Sequence, residues 1–564
     1  MHDLVIRGGT IADGTGAAEF TGDIAVDGGI IVSVRGKAGP GRREIDAHGL
    51  LVTPGFIDIH THYDGQATWD PLLTPSSWHG VTTVVFGNCG VGFAPVRKGA
   101  QHYLIKLMEG VEDIPETVLS EGVSFDWESF PDYLDALERM PRVVDTGAQV
   151  PHAALRFYVM GERGARHEAR PDAAEIDRMG VLLEEALRAG ALGFTTSRTI
   201  KHRTRDGLAV PSLSAAEPEL HGLARAMRRA GRGVLEVNSD FGPGEMDILR
   251  AAAEVAGRPL SCLLVQVNDA PDLWRETLNG VRAARAAGME ANCQVGCRPI
   301  GVLMGLETTQ HPFVTHPDWR AMADYSPADR FARLRQDAAL RDRLTGEIPG
   351  DPETRRLGDT MRRSYTIGAV LDYEPDPATS IGARAAASGA NPWRMALDHM
   401  MSEDGKGLIL HPFENYHAGN LDAVREMLAD DATIAGVADG GAHVGVICDA
   451  SAPTFLLTHW ARDRRRGPGL PRPFLVKKHT RDTAAAYGLT DRGTLAPGMK
   501  ADIAVIDFDN LALRHPEVIY DLPAGGRRLM QRADGYRHVF VSGVETLRND
   551  AHTGELPGRL IRGR

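Results

Sequence analysis

The sequence predicts an α/β protein: a TIM-like (β/α)8 barrel carrying a small β-sandwich built from both chain ends. Three observations lead there. Short apolar runs alternate with helical stretches through the middle of the chain, both ends carry alternating strand-like texture, and residues with metal-binding chemistry stand just after several of the apolar runs. With 564 residues and 43% hydrophobic content, the chain can bury one large core together with a satellite module.

The opening segment has strand texture at 4–7, 10–13, 23–26 and 30–34, separated by glycine-containing turns. The far end repeats it at 501–506 and 537–543. Neither end alone covers enough apolar surface, so the two are expected to pack together, with 1–53 and 495–564 forming the sandwich and 54–494 the barrel. Within the barrel, apolar runs at 55–59, 82–86, 193–196, 233–237, 263–267, 408–410 and 434–438 read as strands, and 172–189 and 421–429 as helices between them. The Arg-, Asp- and Pro-rich stretch of about 315–399 reads as a helical insertion, because structureless loops of that length are rare. Arg464-Arg465-Arg466-Gly467-Pro468-Gly469 reads as a solvated basic turn.

A formal net charge of −12 disfavours a nucleic-acid surface, which needs a concentrated positive field, and favours a small-molecule substrate. No apolar run approaches the length of a bilayer span, and the opening Met1-His2-Asp3-Leu4-Val5-Ile6-Arg7 lacks the pattern of a secretory leader. A cytoplasmic protein is expected, without membrane contact; self-association into a homo-oligomer is compatible with the sequence. The five cysteines, Cys89, Cys262, Cys293, Cys297 and Cys448, lack the spacing of a disulfide framework.

Pro54-Gly55-Phe56-Ile57-Asp58-Ile59-His60-Thr61-His62 is an apolar strand ending in His-x-His. Side chains two apart on a strand share a face, so His60 and His62 can converge on one ion. Ala438-Asp439-Gly440-Gly441-Ala442-His443 closes the last strong apolar run. Read alone it is an Asp-Gly turn; with His60 and His62 it supplies a carboxylate that can ligate a metal and take a proton from water. Phe86-Gly87-Asn88-Cys89-Gly90-Val91-Gly92 puts a thiol in a glycine-rich turn after the second strand, where Cys89 is either a ligand or a small core residue. Arg198 and Arg298 each follow a strand-like run and are candidates to clamp a substrate carboxylate. His202, His411 and His443 are candidates to orient substrate, His443 first because it lies close to Asp439.

These segments, together with Asp491-Arg492-Gly493-Thr494-Leu495-Ala496-Pro497-Gly498-Met499-Lys500-Ala501-Asp502-Ile503, resemble the amidohydrolase superfamily, and the cysteine after the second strand resembles its D-aminoacylase (N-acyl-D-amino-acid deacylase) branch. The resemblance covers nearly the whole chain. It implies that His60, His62 and Asp439 hold a divalent metal, that Cys89 takes a bridging place, and that Asp439 is the general base. It also implies a metal-binding histidine at the end of the fifth strand and another at the sixth, where this chain has Glu236-Val237-Asn238-Ser239-Asp240 and Gln266-Val267-Asn268-Asp269. No histidine occurs between His221 and His311, so one zinc-like ion is expected and a second is not. Hydrolysis of an N-acyl amino acid or related amide is the leading expectation; a cyclic-amide hydrolase and a degenerate barrel that only binds its ligand are the alternatives.

Overall fold

The computed structural model describes residues 1–346 and 352–563. Both chain ends enter one nine-stranded sheet. His2–Ile11, Phe20–Asp27, Ile30–Val34, Gly41–Asp46 and Leu51–Pro54 come from the first end, and Ile503–Ile506, Tyr536–Val541, Val544–Arg548 and Ala551–His552 from the second. The seam is the antiparallel pair in which Ile503 faces Pro54 and Ile506 faces Leu51. Leu4, Ile6, Ile24, Val26, Ile31 and Val52 from one end share an apolar cluster with Ile503, Val505 and Phe540 from the other, so neither end buries its strands without its counterpart.

The middle of the chain holds eight parallel strand positions. The first is Phe56–Asp58 continued, past Ile59, by His60–Thr61; the second is Val81–Phe86; the third is Asp145–Ala148 continued, past Gln149, by Val150–Pro151. Gly193–Arg198, Val234–Ser239, Leu260–Leu264 and Ala291–Val295 follow, and the eighth is Thr433–Ala435 continued, past Gly436, by Val437–Gly440. Each pairs in parallel with the next, and the eighth returns to the first through Val437 opposite His60. Helices such as Ala173–Ala189, Glu217–Ala230, Glu245–Ala256, Leu273–Ala286 and Asp422–Ala429 separate these strands, as parallel crossovers require.

Two strand assignments change and two strands are added. The run at 408–410 belongs to Ile409–Glu414, which pairs antiparallel with Ile300–Met304 and Tyr365–Thr366 outside the parallel set. The sixth strand ends at Leu264, so 265–267 lie beyond it. Asp145–Ala148 and Ala291–Val295 are strands that carry too few large apolar residues to stand out in the sequence. Where it is described, the segment 315–399 is mostly helical, with helices including Pro327–Gln336, Ala338–Gly346, Ile381–Ser388 and Pro392–Met400; its residues 347–351 lie outside the described part. Trp319, Leu334, Leu344, Ile381 and Leu397 form a separate apolar cluster there with Met304 and Ile409. Among the described residues, no helix is long and apolar enough to cross a membrane. The five cysteines are free and buried.

A buried charge cluster joins the parallel strands to the terminal sheet. Arg492 donates to Asp145 of the third strand (2.7 Å) and to Thr83 of the second (2.9 Å), while Lys500 bonds Asp145 and pairs with Asp502 (3.1 Å). Removing one partner of a buried ion pair strands the other charge without compensation. Arg492→Ala is therefore expected to destabilise the protein by about 3–5 kcal/mol, read as a lowered denaturant midpoint at unchanged slope.

Candidate metal centre

The first strand sorts its residues by alternation. Ile57 and Ile59 pack with Val85, Leu192, Val234 and Ile434, which leaves His60 and His62 on the opposite face, both buried. The second strand delivers Cys89 through a turn tied to the first: Asn88 Nδ2 donates to the carbonyls of Ile59 (3.2 Å), Thr61 (3.0 Å) and Val85 (3.0 Å). Gly90 follows because a Cβ there would sit 2.8 Å from the Ser197 nitrogen. The eighth strand delivers Asp439, whose neighbour must be glycine: a Cβ on Gly440 would lie 2.5 Å from Ser76 Oγ and 2.6 Å from Tyr63 Oη.

The ligand atoms of His60, His62 and Cys89 all lie within 4.8 Å of one another. Cys89 Sγ is 3.3 Å from His60 Nε2, and Asp439 Oδ1 is 3.6 Å from His60 Nε2 and 3.7 Å from His62 Nε2. Zinc bond lengths set donor–donor edges of about 3.3–3.8 Å in a tetrahedral site, a range that the His60–Cys89, His60–Asp439 and His62–Asp439 separations match. Cys89, Asp439 and His443 all have left-handed backbone, with φ of 54°, 49° and 48°. Such strain outside glycine gathers where a side chain must be aimed.

Polar groups surround both imidazoles, and a hydrogen bond holds His60. His60 Nδ1 donates to Gln294 Oε1 at 2.7 Å, which leaves Nε2 free to bind a cation. His62 Nδ1 stands 3.2 Å from Glu112 Oε1, and Glu236 Oε1 is 3.7 Å from His60 Nδ1. Asn238 Nδ2 donates to Cys89 Sγ (3.4 Å) and lies 3.4 Å from His202 Nε2. Burial dominates the titration of these groups. It pushes the Cys89 thiol up, helped by Glu236, Glu112 and Asp439; it lifts Asp439 to about 6, against the pull of His443, and Glu236 to about 7; it raises Glu112 and lowers His62.

The structure thus brings His60, His62, Cys89 and Asp439 together and sets His443 beside Glu112, 3.7 Å from Nε2 to Oε2. The two arginines are placed differently. Arg198 is held by Glu245 and the Ala215 carbonyl, and Arg298 is buried against Asp449 (2.5 Å), Ser451 (2.8 Å) and the face of Tyr373. Each guanidinium is thus paired with a carboxylate of the protein, Arg198 with Glu245 and Arg298 with Asp449. Glu112 and Gln294 were not singled out from the sequence. Glu112 had one available signal: it falls four residues after Met108 and eight after Leu104, an acid in phase with the apolar face of the helix Gln101–Glu112.

Residues 43–546 match the amidohydrolase family. The chain belongs to that family. This amidohydrolase is 33% identical to an N-acyl-D-glutamate deacylase and 28% identical to a D-aminoacylase, both from Alcaligenes xylosoxydans xylosoxydans. The first alignment covers 99% of this chain and 96% of the relative, the second 99% and 97%. It superposes on a crystal structure of D-aminoacylase over the whole of both chains, with a TM-score of 0.65 and 25% identity. It is a hydrolase of carbon–nitrogen bonds other than peptide bonds.

If the four side chains hold an ion, the purified protein carries a stoichiometric divalent metal, and His60→Ala loses it while keeping its far-ultraviolet circular dichroism. Elemental analysis of both proteins checks this; a metal-free wild type would remove the centre from consideration.

Proposed function

We propose that this amidohydrolase deacylates an N-acyl-D-amino acid or a closely related small-molecule amide, using one divalent ion, zinc by preference, held by His60, His62, Cys89 and Asp439. The observation that carries the proposal is the approach of Asp439 Oδ1 to within 3.6 and 3.7 Å of the two Nε2 atoms. The names of the relatives that match over nearly the full chain support the acyl-amino-acid class. The donor chemistry supports zinc, which accepts nitrogen, sulfur and oxygen ligands together. A single ion is favoured because Asn238, on the fifth strand, turns a donor toward Cys89 Sγ, while the Gln266 side chain, beyond the sixth, accepts from His417 N and donates to the Pro271 carbonyl.

When bound, the ion supplies Lewis-acid polarisation of the amide carbonyl and acidifies the attacking water. Asp439 accepts the proton that water gives up and returns it to the nitrogen as the C–N bond breaks, so the products are a carboxylate and an amine. Gln294 holds the His60 ring through its Nδ1, and Asn88 holds the Cys89 turn against the first strand. We read His443, on the loop after the eighth strand, as a group that meets the substrate's acyl oxygen or its leaving group. We read the eight parallel strand positions as a closed (β/α)8 barrel over 54–494, and 1–53 with 495–564 as a β-sandwich module packed on it. A cytoplasmic location fits this reading.

Asp439→Asn is expected to keep the fold but lower kcat by about 100-fold or more, since general acid–base catalysis contributes roughly 10²–10⁴. Hydrolysis of N-acetyl-D-amino acids, followed by amine release, measures it; unchanged turnover would exclude Asp439 from proton transfer. Prolonged chelation should abolish the same activity, and added zinc should restore it.

A further inference from the structure

Glu112 occupies the last turn of the helix Gln101–Glu112 and is 1% exposed. The local physics is against a carboxylate there. A helix C-terminus carries partial negative charge, burial penalises the ionised form, and Glu112 Oε2 has no hydrogen-bond partner among the described residues. An apolar residue would serve the helix better, because Leu104, Met108 and Val111 beside it are already buried in the core.

Two imidazoles give the carboxylate its purpose. Oε1 lies 3.2 Å from His62 Nδ1, and Oε2 lies 3.7 Å from His443 Nε2. The other nitrogen of His62, like Nε2 of His60, faces Asp439, so the His62 proton must sit on Nδ1 if Nε2 is to bind a cation. His62 Nδ1 also has no well-aligned hydrogen bond, which leaves Glu112 as the acceptor in reach. We propose that Glu112 is a positioning residue for the metal centre: its carboxylate holds His62 in the tautomer that presents Nε2 to the ion and, through its second oxygen, ties the His443 loop to the same point. This inference rests on the metal-dependent reading above. It adds a group from a helix after the second strand to a centre whose other parts come from strand ends.

Outer partners of metal-binding histidines change metal affinity by roughly 10–100-fold when removed. The test compares wild type, Glu112→Gln and Glu112→Ala by zinc affinity in chelator competition and by the visible absorption of the cobalt(II)-substituted proteins. Glu112→Ala is expected to bind zinc roughly 10–100-fold more weakly and to shift the cobalt spectrum, with unchanged far-ultraviolet circular dichroism. Glu112→Gln, nearly isosteric, keeps the packing; an intermediate affinity assigns the role to charge, and full retention with loss in Glu112→Ala assigns it to hydrogen-bond acceptance. Equal affinity and identical cobalt spectra in all three proteins overturn the inference alone. A wild type that takes up no metal overturns the metal-dependent reading and this inference with it.

Discussion

The backbone hydrogen bond from His62 N to Gly440 O, 2.8 Å long, is the contact on which the centre depends. It belongs to the parallel pairing that sets Val437 opposite His60 and Gly440 opposite Thr61. Alternation along the first strand puts His60 and His62 on one side, and the register shift between Val437 and Gly440, where Asp439 has left-handed backbone, aims Asp439 toward them. A slip of one residue in either strand would turn its ligands away. The register is protected from several directions, since Asn88 bonds the first strand on both sides of His60 and Gly440 fits only without a side chain against Tyr63 and Ser76.

The same convergence explains why so many acids and imidazoles are buried at one place. Glu112, Glu236 and Asp439 are all raised above the usual carboxylate range, and His62 is lowered, with burial the leading cause in each case. Grouped polar residues in a dry site are unfavourable on their own and become favourable only around a charge that they complement. Left-handed backbone at Cys89, Asp439 and His443 adds local strain of the same origin. The folded chain carries both costs against the large apolar core that surrounds the strands.

What the sequence displays is what strand periodicity makes local. His60 and His62 are legible because two residues of separation on a strand mean one face, and Asp439 and Cys89 are legible because each closes an apolar run. The parallel strands Asp145–Ala148 and Ala291–Val295 are not, because positions such as Asn292 and Gln294 carry polar groups that work inside the molecule. An apolar run also carries no direction, so Ile409–Glu414 looks like one more parallel strand although it pairs antiparallel with Ile300–Met304. The roles of Arg198 and Arg298 depend on carboxylates 47 and 151 residues away, beyond any local window. Glu112 belongs with them: its proximity to His62 is created by the packing of a helix, and only its place on an apolar face marks it in the chain.

Charge balance shows why this particular donor set suits a divalent cation. Two neutral imidazoles add nothing, whereas a thiolate and a carboxylate add one negative charge each, equal and opposite to the ion. In the protein alone, burial drives the other way, pushing the Cys89 thiol up, so that it holds its proton, and Asp439 to about 6, so that it ionises only above that pH. Metal uptake at the proposed centre would displace the thiol proton, so its affinity would rise with pH through the range where the thiol is otherwise protonated. Asn238 assists that exchange: a carboxamide N–H 3.4 Å from Cys89 Sγ stabilises the thiolate without adding a charge that would upset the balance. A histidine at the same place would compete for a second cation, and a lysine would repel the first. The neutral amide on the fifth strand therefore fits the proposed centre, whose two negative ligands a single divalent ion would match.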